Sequence, residues 1–224
     1  MVRVPPIVLH ESMTSKQIDI LRTKAMCLLI SGPAGTAKTY TALARGLRLL
    51  LNNEVDRIII IRSVVPTRDI GFLPGDITDK VDAYSAPYAQ NIDKLSPRMK
   101  FRELCSKRLI EFESTSFLRG QTFDNAYIMI DEYQNMSAHE LETALTRVGE
   151  GSHLVLTGDS DQSDLRGVEA EDHREVILTL TRMNEFKVFQ FEIEDIVRSG
   201  FVRAYYEAKR EAQRPPVAMW GRAV

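Results

Sequence analysis

The sequence predicts an α/β fold: one domain built on a mostly parallel sheet, with helices covering both faces. Three observations carry this. Short apolar runs of four to six residues alternate with longer segments of helical period, the pattern of buried parallel strands joined by helical crossovers. The chain has 224 residues, enough for one fully covered sheet and too few for two full-sized α/β domains. A glycine-rich turn, SGPAGTAKTY, separates the first apolar run from a helical segment, as at a strand-to-helix junction of such a fold.

Taken in order, residues 1–13 read as an N-terminal extension, 14–214 as the domain and 215–224 as a C-terminal tail. Thr14 to Lys24 has the pattern of a short helix, and Met26 to Ile30 that of a buried strand. From Thr39 to Leu51, Leu43, Leu47 and Leu50 recur on one helical face. Further strands are expected at Arg57–Ile61, Leu109–Phe112, Ala126–Ile130, His153–Thr157 and Phe186–Phe191, most of them β-branched or aromatic runs bounded by turn residues or charges. Between Val64 and Asp76, Pro66, Gly71, Pro74 and Gly75 mark an irregular loop, and Asp76 is placed to cap a following helix. The tail RPPVAMWGRAV does not continue a helix; it is either disordered or docked on a neighbour through Trp220.

With 44% hydrophobic and 27% charged residues, the composition is that of a globular protein rather than a fibrous or disordered one. A net charge of −2 decides little; proteins that bind nucleic acid over their whole surface are usually basic, so any such partner must be held by a local patch. No stretch approaches the roughly 20 apolar residues of a membrane span, and Pro5 and Pro6 break the opening before a signal-peptide core could form, so the expected location is cytoplasmic, with no membrane partner. Cys27 and Cys105 lie in unrelated surroundings and read as inert thiols. The four histidines have no ligand spacing, which argues against zinc.

The glycine-rich turn carries chemistry. In a strand–loop–helix setting, the loop of Gly32, Pro33, Ala34, Gly35, Thr36, Ala37, Lys38, Thr39 and Tyr40 would cradle phosphate with its backbone N–H groups, all but Pro33 carrying one, Lys38 would reach the β- and γ-phosphates, and the Thr39 hydroxyl would face Mg²⁺. The pattern asks for glycine immediately before the lysine, and Ala37 stands there; its methyl crowds the phosphate or restricts the backbone. A second strand ends in Asp131-Glu132, where ligands of open α/β sheets bind: Asp131 suits water-mediated metal binding and Glu132 the general base for an attacking water. A third ends in Gly158-Asp159 with Gln162 beyond, a group able to bond either a phosphate oxygen or the lytic water.

Together GPAGTAKTY, GFLPGD (71–76), FLRGQTF (117–123), IDEYQN (130–135), LTRVGEGS (145–152) and TGDSDQSDL (157–165) resemble the PhoH-like proteins, RecA-type P-loop ATPases related to the superfamily 1 helicase core. The similarity runs from about Thr14 to Arg198. It implies a single RecA-like P-loop domain, ATP and Mg²⁺ as cofactors, and a role for Gln17 in reading adenine. Asp131, Glu132 and Gln134 match the family's D-E-x-Q segment, Gly158, Asp159 and Gln162 its G-D-x-x-Q segment, and EDIVRSGFV (194–202) offers Arg198 as a γ-phosphate contact in its own site or a neighbour's. Ala37, Tyr133 and Ser199 depart from the family pattern.

A helicase of this superfamily closes its ATP site between two such domains, and this chain supplies one. The expectation is a homo-oligomer such as a hexameric ring, with Arg198, Arg147 or Arg62 near a shared site. Between Lys94 and Arg108 six basic residues face one acid, Glu103, and Phe101 is placed to stack on a base, which favours single-stranded RNA or DNA as a partner. Two alternatives stand beside ATP hydrolysis: an ATP-binding switch or assembly protein with little turnover, for which Ala37 speaks, and a small-molecule phosphotransferase, which the Asp131-Glu132 pair disfavours.

Overall fold

The computed structural model describes residues 6–63, 77–115, 118–159 and 162–212. The 64–76 loop with its GFLPGD segment, Phe117, Ser160, Asp161 and the tail with Trp220 lie outside the described residues. Six strands form one sheet: β1 (Cys27–Ser31), β2 (Arg57–Arg62), β3 (Ile110–Ser114), β4 (Ala126–Asp131), β5 (His153–Gly158) and β6 (Phe186–Gln190). Their order is β3-β2-β4-β5-β1-β6 and every pairing is parallel. All six expected strands are present, with ends displaced by one or two residues.

Parallel strands need crossovers, and seven helices among the described residues supply or extend them: α1 (Ser15–Arg22), α2 (Lys38–Leu51), α3 (Ile77–Leu95), α4 (Phe101–Ser106), α5 (Ala138–Leu145), α6 (Val168–Arg182) and α7 (Gly200–Ala212). Alternation along the central strands divides the core. Ile58, Ile60, Tyr127, Met129 and Val155 face the layer of α1 to α4, while Ile59, Ile61, Ile128, Ile130 and Leu156 face α5 and α6. Because both faces are covered, β2, β4 and β5 read as continuous apolar runs.

Local chemistry fixes where the helices start and stop. Thr14 and Gln17 form a capping box that opens α1, and Ser137 with Glu140 does the same for α5. At the other end of α1 the buried Arg45 guanidinium donates to the carbonyls of Ile20 (3.0 Å), Thr23 (2.8 Å) and Ala25 (2.7 Å). Those carbonyls would otherwise lack partners, so Arg45 both ends α1 and locks it to α2. Helix α2 lies close on the sheet because Gly46 has no side chain: a Cβ there would sit 2.6 Å from the Tyr127 ring. The Tyr127 hydroxyl then donates to Ala42 O at 2.7 Å. Residues 7–13, expected to be an extension, pack back on the domain: Val8 N–H donates to Leu95 O and His10 N–H to the Tyr40 hydroxyl.

Register matters most for the site. Arg62 pairs with Asp131, Asp131 with Thr157, and Ser31 with Gly158, so residues distant in sequence finish level along the C-terminal edge of the sheet.

Candidate active site at the C-terminal edge of the sheet

The loop between β1 and α2 is shaped by close backbone approach. Gly32 has φ 141° and Phe191 packs so tightly that a Cβ on Gly32 would meet the Phe191 carbonyl oxygen at 2.4 Å. Gly32 N–H donates to Gly158 O (3.2 Å), Phe191 N–H to Ser31 O (2.7 Å) and Val197 N–H to Gly35 O (3.0 Å), which ties the loop to β5 and to the segment after β6. Inside the loop the Thr36 hydroxyl donates to Pro33 O at 2.9 Å. Ala37, the residue standing for glycine, adopts φ 59° and ψ 35°. That is the left-handed region, where a Cβ collides with the following carbonyl, so the conformation and not only the space calls for glycine.

Lys38 folds back over the loop, its ammonium donating to Gly32 O (2.5 Å) and Pro33 O (3.0 Å). Burial pulls it below the usual lysine range, against the opposing pull of the Asp159, Glu132 and Asp131 carboxylates. The Thr39 hydroxyl, on the next residue, points at the carboxylate of Asp131, 3.3 Å from Oδ1 and 3.5 Å from Oδ2.

Asp131 is buried, and burial raises its carboxyl above the usual aspartate range. Hydroxyl donors and the nearby Arg62 charge oppose that shift. Thr157 donates to Oδ1 from β5, and Tyr88 donates to Oδ2 at 2.7 Å from α3. Glu132 follows in a left-handed conformation, φ 55° and ψ 45°, which turns the chain sharply off the strand end. The Gln134 amide bridges two motifs: its nitrogen donates to Glu132 Oε2 at 2.6 Å, and its oxygen accepts from Asp159 N–H at 3.0 Å. Gly158 leaves room for this bridge, since a Cβ there would fall 2.3 Å from Gln134 Oε1. Gln162 donates to Asp159 Oδ2 and to the Tyr206 hydroxyl of α7, both at 2.7 Å.

One cavity of about 520 Å³ opens over these groups, lined by Ala34, Gly35, the run from Ala37 to Tyr40, Glu132, Asp159, Gln162 and Arg198, and closed on one side by Pro87, Gln90, Asn91 and Lys94 of α3. Of the sequence candidates, Lys38, Thr39, Glu132, Gln162 and Arg198 therefore converge, and Asp131 sits directly beneath. Gln17 is elsewhere: it is buried, its amide oxygen accepts from Thr14 N–H and its nitrogen donates to Thr36 O, so it braces the loop from behind. The three arginines separate. Arg198 lines the cavity and Arg62 flanks Asp131, whereas Arg147 lies at the opposite edge of the sheet, where it donates to Gln121 O.

The stacking role expected of Phe101 is corrected. Phe101 is 8% exposed and packs edge-on against Phe112, ring centres 5.7 Å apart, so its face is core and unavailable to a base. Part of the basic segment around it is also engaged internally: Lys107 pairs with Glu103 at 2.6 Å and Lys100 donates to Asp93 O. Sequence reasoning missed Tyr88, Thr157 and Tyr206. Thr157 was visible as the residue before the Gly-Asp turn; Tyr88 and Tyr206 carry no local signal, since helix packing alone brings them in.

Comparison with known proteins gives the family and the fold. The family model described as PhoH-like protein matches residues 7–209. The chain belongs to the PhoH-like family. A PhoH-like protein of Mycobacterium leprae is 36% identical over 190 residues, covering 84% of this chain and 54% of the relative. Protein PhoH of Escherichia coli is 32% identical over 202 residues, covering 87% and 56%. The chain thus spans about half the length of the curated PhoH-like relatives it matches. Among solved structures, the large terminase of a thermophilic bacteriophage superposes with a TM-score of 0.58 at 12% identity, over 88% of this chain and 50% of the terminase. The same terminase in complex with ADP gives 0.56 at 13% identity, over 87% and 49%. At these identities the likeness is one of fold alone, that of a RecA-like P-loop domain.

Proposed function

We propose that this PhoH-like chain binds ATP with Mg²⁺ and hydrolyses it, acting as a homo-oligomer on single-stranded RNA or DNA. The observation that carries the reading is the meeting of Thr39 and Asp131 beneath one cavity that also holds Lys38 and Glu132. A threonine hydroxyl beside a buried carboxylate is a hard-oxygen pair that fits Mg²⁺, a cation that keeps most of its waters and takes few protein ligands. Mg²⁺ bound there would neutralise phosphate charge. The chain's own groups do the rest: loop N–H groups and Lys38 hold the phosphates, Gln134 fixes the rotamer of Glu132, and Glu132 accepts the proton of the attacking water. Gln162 and Arg198, which line the same cavity, would sense the terminal phosphate in this reading.

A second reading, an ATP-binding switch with little turnover, draws support from Ala37 in its left-handed conformation and from Lys38 bonded to its own loop. Measuring ATP binding and phosphate release for wild type, Lys38→Ala and Glu132→Gln separates the two. Hydrolysis through this site requires Lys38→Ala to lose binding and Glu132→Gln to bind without turnover. Equal release by wild type and Glu132→Gln would remove Glu132 from the reaction. For the nucleic-acid part, salt-sensitive binding of single-stranded polynucleotide and stimulated turnover are expected; neither being seen would sink that part alone.

A further inference from the structure

Helix α7 is long, amphipathic and poorly supported. None of its 13 residues is buried. Val202 and Tyr206 face inward, Val202 Cγ1 lying 3.4 Å from where a Gly35 Cβ would be and Tyr206 bonding Gln162. On the adjoining face Phe201, Ala204, Tyr205 and Ala208 form an i, i+3, i+4, i+7 stripe that is open to solvent, with Phe201 80% and Tyr205 57% exposed. A helix of this length is marginal in water without tertiary packing, so an uncovered apolar stripe marks a missing neighbour.

At the other end of the sheet lies a surface that suits it. Helices α5 and α6 and the starting residues of β1 and β6 enclose a groove of about 890 Å³ with an apolar floor that includes Leu145, Val176 and Phe186. Its rim carries four acids, Glu142, Asp172, Glu175 and Glu185, and no lysine or arginine lines it. Lys209 stands one turn beyond Tyr205 on the α7 stripe, which gives the helix the charge the rim lacks.

We propose that a second copy of this chain receives the Phe201–Tyr205 face of α7 in its α5–α6 groove, with Lys209 set against the acidic rim. The inference rests on the homo-oligomer reading above and names its interface. Because helix and groove lie at opposite ends of the sheet, the contact is head-to-tail and propagates to a ring or a filament. It also bears on the nucleotide site. The docked helix carries Tyr206, which bonds Gln162, and follows directly on Arg198, so a partner that seats α7 holds both at the cavity.

The test is mixing. Phe201→Glu spoils the helix face and Thr179→Trp fills the groove; both positions are exposed, and unchanged melting confirms folding. Should either melt early, Tyr205→Glu and Glu175→Arg serve as the second pair. By sedimentation, wild type is expected above the 25.4 kDa of one chain, with each variant about thirtyfold weaker in association. A mixture of the two variants retains one intact helix and one intact groove, and is expected to give a 1:1 dimer that stops there. If wild type assembles and both variants keep its mass, this interface fails while the oligomer stands. If wild type stays monomeric throughout, both fail. Monomeric variants that remain monomeric on mixing overturn the head-to-tail pairing.

Discussion

Ala37→Gly should stabilise the protein, although alanine-to-glycine changes ordinarily do the reverse. Ala37 holds φ 59° and ψ 35° at the start of α2, where an L-residue with a Cβ is strained by about 1–2 kcal/mol. Glycine removes that strain but loosens the unfolded chain, at about 0.4–1 kcal/mol. The net gain is about 0.5–1 kcal/mol, and for a chain of this length it raises Tm by about 1–4 °C. Thermal unfolding by circular dichroism without nucleotide reads it. Ala37→Val, with a branched Cβ in the same region, should melt below wild type, giving the order Gly, Ala, Val. A fall of several degrees for Ala37→Gly, the usual result inside a helix, would refute the left-handed entry to α2 and the account of why the motif prefers glycine there.

Three further outcomes follow from the packing and charge at the site. Asp131→Asn abolishes Mg²⁺-dependent turnover, yet melts above wild type at neutral pH. The folded carboxyl titrates above its unfolded value, so ionised Asp131 opposes folding above the folded pKa and that penalty fades as pH falls through it; a stability gap that widened on acidification would contradict this sign. Tyr88→Phe removes a donor from a buried carboxylate, which costs about 1.5–3 kcal/mol in urea unfolding and raises the Mg²⁺ concentration for half-maximal turnover; an unchanged Mg²⁺ dependence would limit Tyr88 to packing. Gly46→Ala improves helix propensity by about 1 kcal/mol but drives a methyl to 2.6 Å from the Tyr127 ring, so a net loss of about 1 kcal/mol or more is expected, and a gain in Tm would show that α2 can lift off the sheet.

What the sequence by itself determined is the set of parts: the strands, whose apolar runs follow from burial on both faces; the Gly32–Tyr40 loop; the Asp131-Glu132 and Gly158-Asp159 strand ends; and the family. These are legible because each is local, a few consecutive residues whose period or turn chemistry admits one reading. Even there, Phe101 misled, since an aromatic among basic residues looks the same whether its ring faces solvent or core. The tertiary structure decided everything that depends on register and helix packing. Parallel pairing sets Arg62, Asp131 and Thr157 level, which turns separate motifs into one site. Packing of α3 and α7 delivers Tyr88 to Asp131 and Tyr206 to Gln162 across 43 and 44 residues of chain, separations that no local pattern encodes. It also takes Gln17 away from the cavity and puts it behind the loop, because both ends of its amide are satisfied by Thr14 and Thr36. Ala37 joins the two levels: its place in the motif was plain from the sequence, but its cost is a backbone angle, and an angle exists only once the strand and the helix on either side have been packed.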